Sequence, residues 1–320
     1  LQHQLDQLDA DHEAWAIAAT ETGIDLDDPR YRDATPREQA RMLETAHDRL
    51  YFRFTEDSVR RKDALATTRT LLATRSTLDV AADFTPVPTP ATPPERGHET
   101  SRLAGGWRYD RSARSSAAVL RFRGAYHDRL DPPAGYLAGG ELEFFDLGVL
   151  ARAGELRFAD FQIVNVQAVS AWDRSFKPLS WQVSGGLRRY GLDALRADPQ
   201  LRTGAYVDGG AGIAVAPVGN LYLYGFAFAE VDANADLEHE HALAAGLRGG
   251  MSWHHASRFM QQLETDWLGP VSGAAGNRLA VRLGSQWQLT ADEGLRLSLR
   301  YAREAGVELK GLELSWVHYF

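Results

Sequence analysis

The chain has 320 residues with 35 Lys+Arg against 43 Asp+Glu, and its formal net charge of −8 argues against a general nucleic-acid binder. It contains no cysteine, which removes disulfides, thiolate metal ligands and a cysteine nucleophile together. No apolar run reaches the roughly 18 residues of a membrane-spanning helix, yet the 10% aromatic content and 29 glycines suit a membrane β-barrel, whose hydropathy signal is weak because every second residue faces inward. The sequence starts at Leu1 rather than Met, so we expect either a removed secretory signal or a larger upstream portion.

Residues 1–80 read as a helical periplasmic segment. A weakly amphipathic start from Leu1 to about Thr22 leads to a better-signalled second helix, where Thr35-Pro36-Arg37-Glu38 supplies an N-cap hydroxyl, a proline at the first helical position and a capping-box carboxylate. Ala40, Leu43, His47, Leu50, Tyr51 and Phe54 then recur at spacings of three and four, a mostly apolar stripe that needs a cover. More helix is expected through Val59, Leu65, Leu71 and Leu72, giving a helical hairpin. Residues 81–99, with Pro86, Pro88, Pro90, Pro93 and Pro94, read as an extended linker.

Beyond the linker the period changes from near 3.6 to 2, and residues 100–320 read as an all-β transmembrane antiparallel barrel of about twelve strands. We expect them near 100–109, 114–126, 138–150, 154–168, 179–189, 202–215, 219–231, 241–252, 256–267, 277–289, 294–303 and 306–320. Leu295, Leu297, Leu299 and Tyr301 alternate with Arg296, Ser298 and Arg300; Leu312, Leu314, Trp316, His318 and Phe320 alternate with Gly311, Glu313, Ser315, Val317 and Tyr319. An even strand count returns both ends of the barrel to one side, the periplasm for an outer-membrane protein. Phe158 and Phe161 break the alternation and suggest a bulge near Ala159-Asp160, while Tyr222, Tyr224, Phe226 and Phe228 leave one strand apolar on both faces. A soluble β-sandwich would explain that strand equally well, but not the repeated pairing of outward Leu or Trp with inward Arg. Trp181, Trp253, Trp267, Trp287, Trp316 and Phe320 fall near strand ends, as interfacial rings or as ordinary core.

Closure rests on the same physics, because an unpaired backbone amide in hydrocarbon costs several kcal/mol by a rough estimate. Arg121, Arg123, Glu141, Glu143, Arg157, Arg188, Asp208, Arg248, Glu264, Arg282, Arg296, Arg300 and Glu313 should then face the lumen or meet water at a rim. Mixed signs allow either a salt-bridged plug or a polar pore. Gly186, Gly210, Gly212, Gly246 and Gly250 leave inward space whose filling stays open.

The last strand, with Leu312, Leu314, Trp316 and Phe320, resembles the C-terminal signal of bacterial outer-membrane barrels, and His318 departs from its usual apolar choice. That resemblance implies insertion by the β-barrel assembly machinery. A second one covers most of the chain. FRGAYHDRLDPPAGYLAGGELEFFDL (Phe122 to Leu147) and AWDRSFKPLSWQVSGGLRR (Ala171 to Arg189) resemble the C-terminal barrel of bacterial proteins that carry an Lnb-type, lipoprotein N-acyltransferase-like periplasmic domain. Residues 38–78, with LETAHDRLYFRF and LLATRSTLD, resemble the helical connector of the same family. The resemblance implies acyl-transfer chemistry at a cysteine–histidine site in a periplasmic domain that is expected to be absent from this sequence; without a cysteine, no catalytic residue can be assigned to this chain.

Topology puts the segments 127–137 and 171–179 at the periplasmic rim. There Tyr126, His127, Asp128, Asp131, Tyr136, Asp173, Arg174 and Lys177 are candidates for docking a periplasmic partner or a lipid headgroup. The plainer reading is a turn at Asp131-Pro132-Pro133 and a solvated Asp173-Arg174 pair. Glu238, His239, Glu240 and His241 could bind a cation or form a solvated loop; His254, His255 and Ser257 lack a matching carboxylate for a hydrolase. No cofactor and no metal are assigned. The expectation is an outer-membrane anchor or scaffold with both termini periplasmic, contacting lipid, the assembly machinery and a periplasmic partner but no nucleic acid. The alternatives are the membrane half of a lipid- or lipoprotein-acyl-modifying enzyme and a small-solute channel.

Overall fold

A computed structural model describes residues 1–56, 61–173, 175–189, 203–233, 241–256, 258–273, 277–304 and 307–320. The chain forms two units, Leu1–Thr89 and Pro90–Phe320.

The first unit comprises α1 (Gln2–Leu5), α2 (Ala10–Glu21), α3 (Pro29–Arg32), α4 (Pro36–Thr55) and α5 (Arg61–Ser76). The expected first helix is divided because the Asp9 carboxylate caps α2, accepting from the amides of Asp11 and His12. At α4 the capping box is complete: the Thr35 amide donates to Glu38 at 2.8 Å and the Glu38 amide to Thr35 Oγ1 at 3.4 Å. The buried face of α4 is rotated from the expected stripe. Met42, Leu43, Ala46 and Leu50 pack with Trp15, Ala19, Tyr31 and Leu71, whereas Tyr51 and Phe54 are exposed. On that face Arg49 is buried too, its guanidinium donating to the Thr20 hydroxyl and the Glu21 carboxylate in the last turn of α2, where a cation also suits the helix dipole. Part of the proline-rich stretch belongs to this unit: Arg41 donates to the carbonyls of Ala82 and Asp83, both at 2.7 Å, and the Thr85 amide to Gln7 at 2.8 Å.

The second unit is a closed antiparallel barrel of twelve strands. They are β1 (Arg102–Asp110), β2 (Ser115–His127), β3 (Gly140–Arg152), β4 (Glu155–Ala168), β5 (Ser180–Arg189), β6 (Thr203–Val218), β7 (Leu221–Ala233), β8 (His241–Ala256), β9 (Phe259–Gly273), β10 (Arg278–Gln288), β11 (Glu293–Glu304) and β12 (Val307–Tyr319). Each pairs with its sequence neighbours, and β12 closes on β1 with Arg102 opposite Tyr319 and Asp110 opposite Gly311. Among the described residues no strand is left without a partner on either side, as hydrocarbon requires.

Alternation sorts the residues. Leu120, Leu247, Leu263, Trp267, Leu314 and Trp316 are exposed on the outside, while Arg102, Arg123, Asp208, Glu230 and Glu264 are buried within. A polar interior under an apolar exterior inverts the water-soluble arrangement and marks a barrel made for lipid. The expected bulge is present: Gly148 pairs with Asp160 but Val149 with Phe158, leaving Ala159 extra. A second irregularity lies at Phe145, which has φ +56°, and Ile163. Across it Glu143 and Asp146 are both buried although three residues apart. On β7 the aromatic rings Tyr224, Phe226 and Phe228 fill the lumen, and Leu223 and Val231 face out. Tyr224 covers Gly250, where a Cβ would lie 2.2 Å from its ring, so the inward glycine makes room for an aromatic neighbour.

Leu120 is 54% exposed in mid-strand, opposite Gly105 and Val149. Leu120→Arg is expected to lower unfolding free energy by about 2–4 kcal/mol if the side chain lies near the bilayer midplane. Urea titration of the barrel folded into phospholipid vesicles reads this directly; an unchanged midpoint would mean that this face does not meet acyl chains.

Candidate functional site in the barrel lumen

β1 begins and β12 ends at one rim, where the β2–β3 loop (residues 128–139) and the β4–β5 loop (residues 169–179) also emerge. The first of these loops turns back into the lumen. Its entry is a tight turn fixed by two aspartates: Asp128 Oδ1 accepts from the amides of Leu130 (2.9 Å) and Asp131 (3.0 Å), and Asp131 Oδ2 accepts from the Asp128 amide (2.9 Å).

The turn is then held from all sides. Asp128 pairs with Arg102 and, at 2.7 Å, with Arg296. Asp131 pairs with Arg123 at 2.7 Å and Arg296 at 2.8 Å, and accepts from the Tyr319 hydroxyl at 2.6 Å. Arg129 donates to Glu141 at 2.9 Å and lies 4.7 Å over the Tyr224 ring, while His254 Nε2 meets the Arg129 carbonyl at 3.2 Å. Leu130 packs against Gly284, where a Cβ would lie 2.5 Å from its methyl. Residues of β1, β2, β3, β7, β8 and β9 through β12 thus converge on four residues, Asp128-Arg129-Leu130-Asp131, inside the lumen near this rim.

The chain before β1 packs against the end of β2 and the same loop. His98 Nε2 lies 2.9 Å from His127 Nδ1, and the Tyr136 ring stacks on both imidazoles at 4.4 and 4.2 Å between centroids. The Tyr136 hydroxyl donates to the His98 carbonyl at 2.7 Å. Burial pushes the His98 imidazole below its ordinary range, against the pull of Asp131. Burial alone would raise the Asp128 and Asp131 carboxyls, but Arg296 and Arg102 around the first and Arg123 beside the second hold both below the usual carboxylate range.

On the far side of the turn lies a polar cavity of about 510 Å³. Its wall is a lattice of ion pairs: Arg188 with Glu230 (2.5 Å), Arg278 with Glu230 (2.7 Å), Arg282 with Glu264 (2.6 Å) and Arg248 with Asp266 (2.6 Å). The expected lumen residues Arg121, Glu141, Glu143, Asp208 and Arg300 line it too. Arg157 instead pairs with Glu155 at 2.8 Å at the other rim.

Of the residues expected to form a polar rim, His127, Asp128 and Asp131 are buried, the aspartates among lumen arginines and the histidine against His98 and Tyr136. Tyr136 is half-buried as the cover of the histidines. Tyr126 and Lys177 are exposed, and Asp173 caps a local turn by accepting from the amides of Ser175 and Phe176. Arg174 lies outside the described residues, as do Glu238, His239, Glu240 and Ser257. Leu314, Trp316 and Phe320 line the outer face of β12, with Leu312 half-buried beside them. The sequence reading missed Arg102, Asp146, Arg129 and His98. Alternation of Arg102, Ala104, Gly106 and Arg108 along β1 carried the signal for the first; the irregularity at Phe145 hid the second.

Carboxyls held below their unfolded values contribute stability that is present above about pH 4 and lost as pH falls through the folded values. The contribution of these two carboxyls to urea resistance is therefore expected to decline below about pH 4. Asp131→Ala leaves Arg123 buried without its nearest carboxylate, an expected loss of about 3–5 kcal/mol at pH 7 with a shallower decline in acid. Urea midpoints across pH for the two proteins test both statements.

Solved structures similar to this chain include the COG4313 outer membrane channel from Pseudomonas putida F1, at 13% identity and a TM-score of 0.43 over 74% of this chain and 100% of that one. The NanC porin has 13% identity and a TM-score of 0.40 over 69% and 99%, and LpxR from Salmonella typhimurium 10% and 0.39 over 68% and 100%. No curated protein matches the chain. Residues 1–87 match the family model of a domain of unknown function, DUF7842, and residues 91–319, the whole barrel, match that of another, DUF7840. The chain belongs to the DUF7840 family.

Proposed function

We propose that this protein is an outer-membrane anchor whose barrel is stoppered by its own β2–β3 loop and which holds a periplasmic module at the membrane. The observation that carries this reading is the convergence of Arg102, Arg123, Arg296, Tyr319 and Glu141 on residues 128–131, which fills the lumen at the rim shared by both ends of the barrel. A solute crossing the barrel would have to break several buried ion pairs at once, each break leaving a desolvated charge. The apolar exterior supports residence in the outer membrane, with both termini periplasmic by the usual orientation of such barrels. Under this reading Leu312, Leu314, Trp316 and Phe320 form the edge read by the assembly machinery, and the exposed Tyr126 and Lys177 remain for partner or headgroup contact. The resemblance of 122–147 and 171–189 to barrels joined to Lnb-type domains supplies the partner class: an acyl-modifying periplasmic domain.

Conductance separates an anchor from a channel. The full chain inserted in planar bilayers is expected to give no unitary current. A variant carrying Asp128→Ala, Arg129→Ala and Asp131→Ala, recovered as a folded barrel, is expected to give steps. Reproducible current through the unaltered protein would overturn the anchor reading.

A further inference from the structure

We propose that His98 Nε2, His127 Nδ1 and the Asp131 carboxylate form a binding site for one zinc-class divalent metal ion, which fastens the segment before β1 to the end of β2 and to the lumen turn. The two nitrogens are 2.9 Å apart and Asp131 Oδ2 is 4.0 Å from each, and all three side chains are buried. Among the described residues this is the group of imidazole and carboxylate ligands whose donor atoms all fall within 4.8 Å of one another. Ligand atoms at about 2.0–2.2 Å on a tetrahedral ion stand roughly 3.3–3.5 Å apart, so the nitrogens need open by only about 0.4 Å and the carboxylate close by a similar amount.

The surroundings orient all three ligands. The Glu99 carbonyl, 2.6 Å from His98 Nδ1, can only accept, so that nitrogen carries the proton and Nε2 presents its lone pair to the site. Asp131 is fixed by the Asp128 amide and Arg123 on one oxygen and by Tyr319 and Arg296 on the other, a scaffold that directs a ligating carboxylate. His127 binds through Nδ1 by moving its proton to Nε2; the imidazole stays neutral and no proton is released.

Two imidazoles with one carboxylate select a zinc-class ion over calcium or magnesium, which take oxygen shells.

The test uses the untagged full chain in detergent, stripped with chelator and titrated with Zn²⁺ and with Co²⁺. The expected result is one equivalent bound per chain, a tetrahedral Co²⁺ absorption band displaced by Zn²⁺, and no competition from Ca²⁺ or Mg²⁺. His98→Ala is expected to weaken binding at least tenfold while the barrel keeps its heat-modifiable mobility on gels. A wild-type protein that binds no stoichiometric metal and gives no cobalt band carries only a neutral hydrogen-bonded histidine pair, which overturns the proposal without recourse to any variant. Unchanged affinity in folded His98→Ala overturns it as well.

Discussion

A sheet that closes with its leucines outward must keep its charges in the lumen, and there each charge needs a partner within reach. Arg123 and Asp131 are both wholly buried, and removing either ion from water costs several kcal/mol by a rough estimate. The contact between them, reinforced by Arg296 and Tyr319, makes the burial tolerable. The same lattice continues away from the turn. Glu264 lies 3.5 Å from Arg129, which belongs to the turn, and 2.6 Å from Arg282, which belongs to the cavity wall; Arg282 in turn meets Asp266 at 2.5 Å. Turn and wall are thus one electrostatic body, and the loop cannot leave the lumen without stranding charges on several strands.

Local chemistry prepares the loop for that place. The reciprocal amide bonds of Asp128 and Asp131 set the turn before any strand is reached, and Pro132-Pro133 restricts the backbone as the chain leaves it. Gly135, at φ +84°, sits where a Cβ would lie 2.8 Å from Gly97, so the loop and the segment before β1 pass backbone against backbone. A preformed loop loses less conformational entropy on docking, leaving more of the ion-pair energy for stability.

The barrel was legible because it depends on a period. Alternation of Leu with Arg along β10, β11 and β12 is visible in the sequence, and so is the bulge at Ala159, where the alternation fails. The filling of the lumen was not legible, for the opposite reason. Asp131-Pro132-Pro133 reads locally as a surface turn, and nothing in that stretch reports that Arg102, Arg123 and Arg296 wait across the barrel from strands far along the chain. Asp146 was masked by the irregularity at Phe145, and His98 by the prolines before it. In the helical unit the capping box was readable from four residues, but the buried face of α4 was not, since it is defined by contacts with other helices, Arg49 with Glu21 among them.

The lumen turn also meets the chain that leads into β1. The proline-rich stretch then matters for how it is tied at each end. Toward the helices, Thr85 is held by Gln7, and Ala82 and Asp83 by Arg41. Toward the barrel, the Pro93 carbonyl and Gly97 lie against Gly135, and His98 against His127 and Tyr136. The connection proper is thereby shortened to residues 86–92, where Pro86, Pro88 and Pro90 favour an extended, semi-rigid chain. The boundary between the two family matches, after residue 87 and before residue 91, falls within that stretch. The contacts on each side of this stretch thus belong to the unit on that side, and toward the barrel they centre on the buried His98.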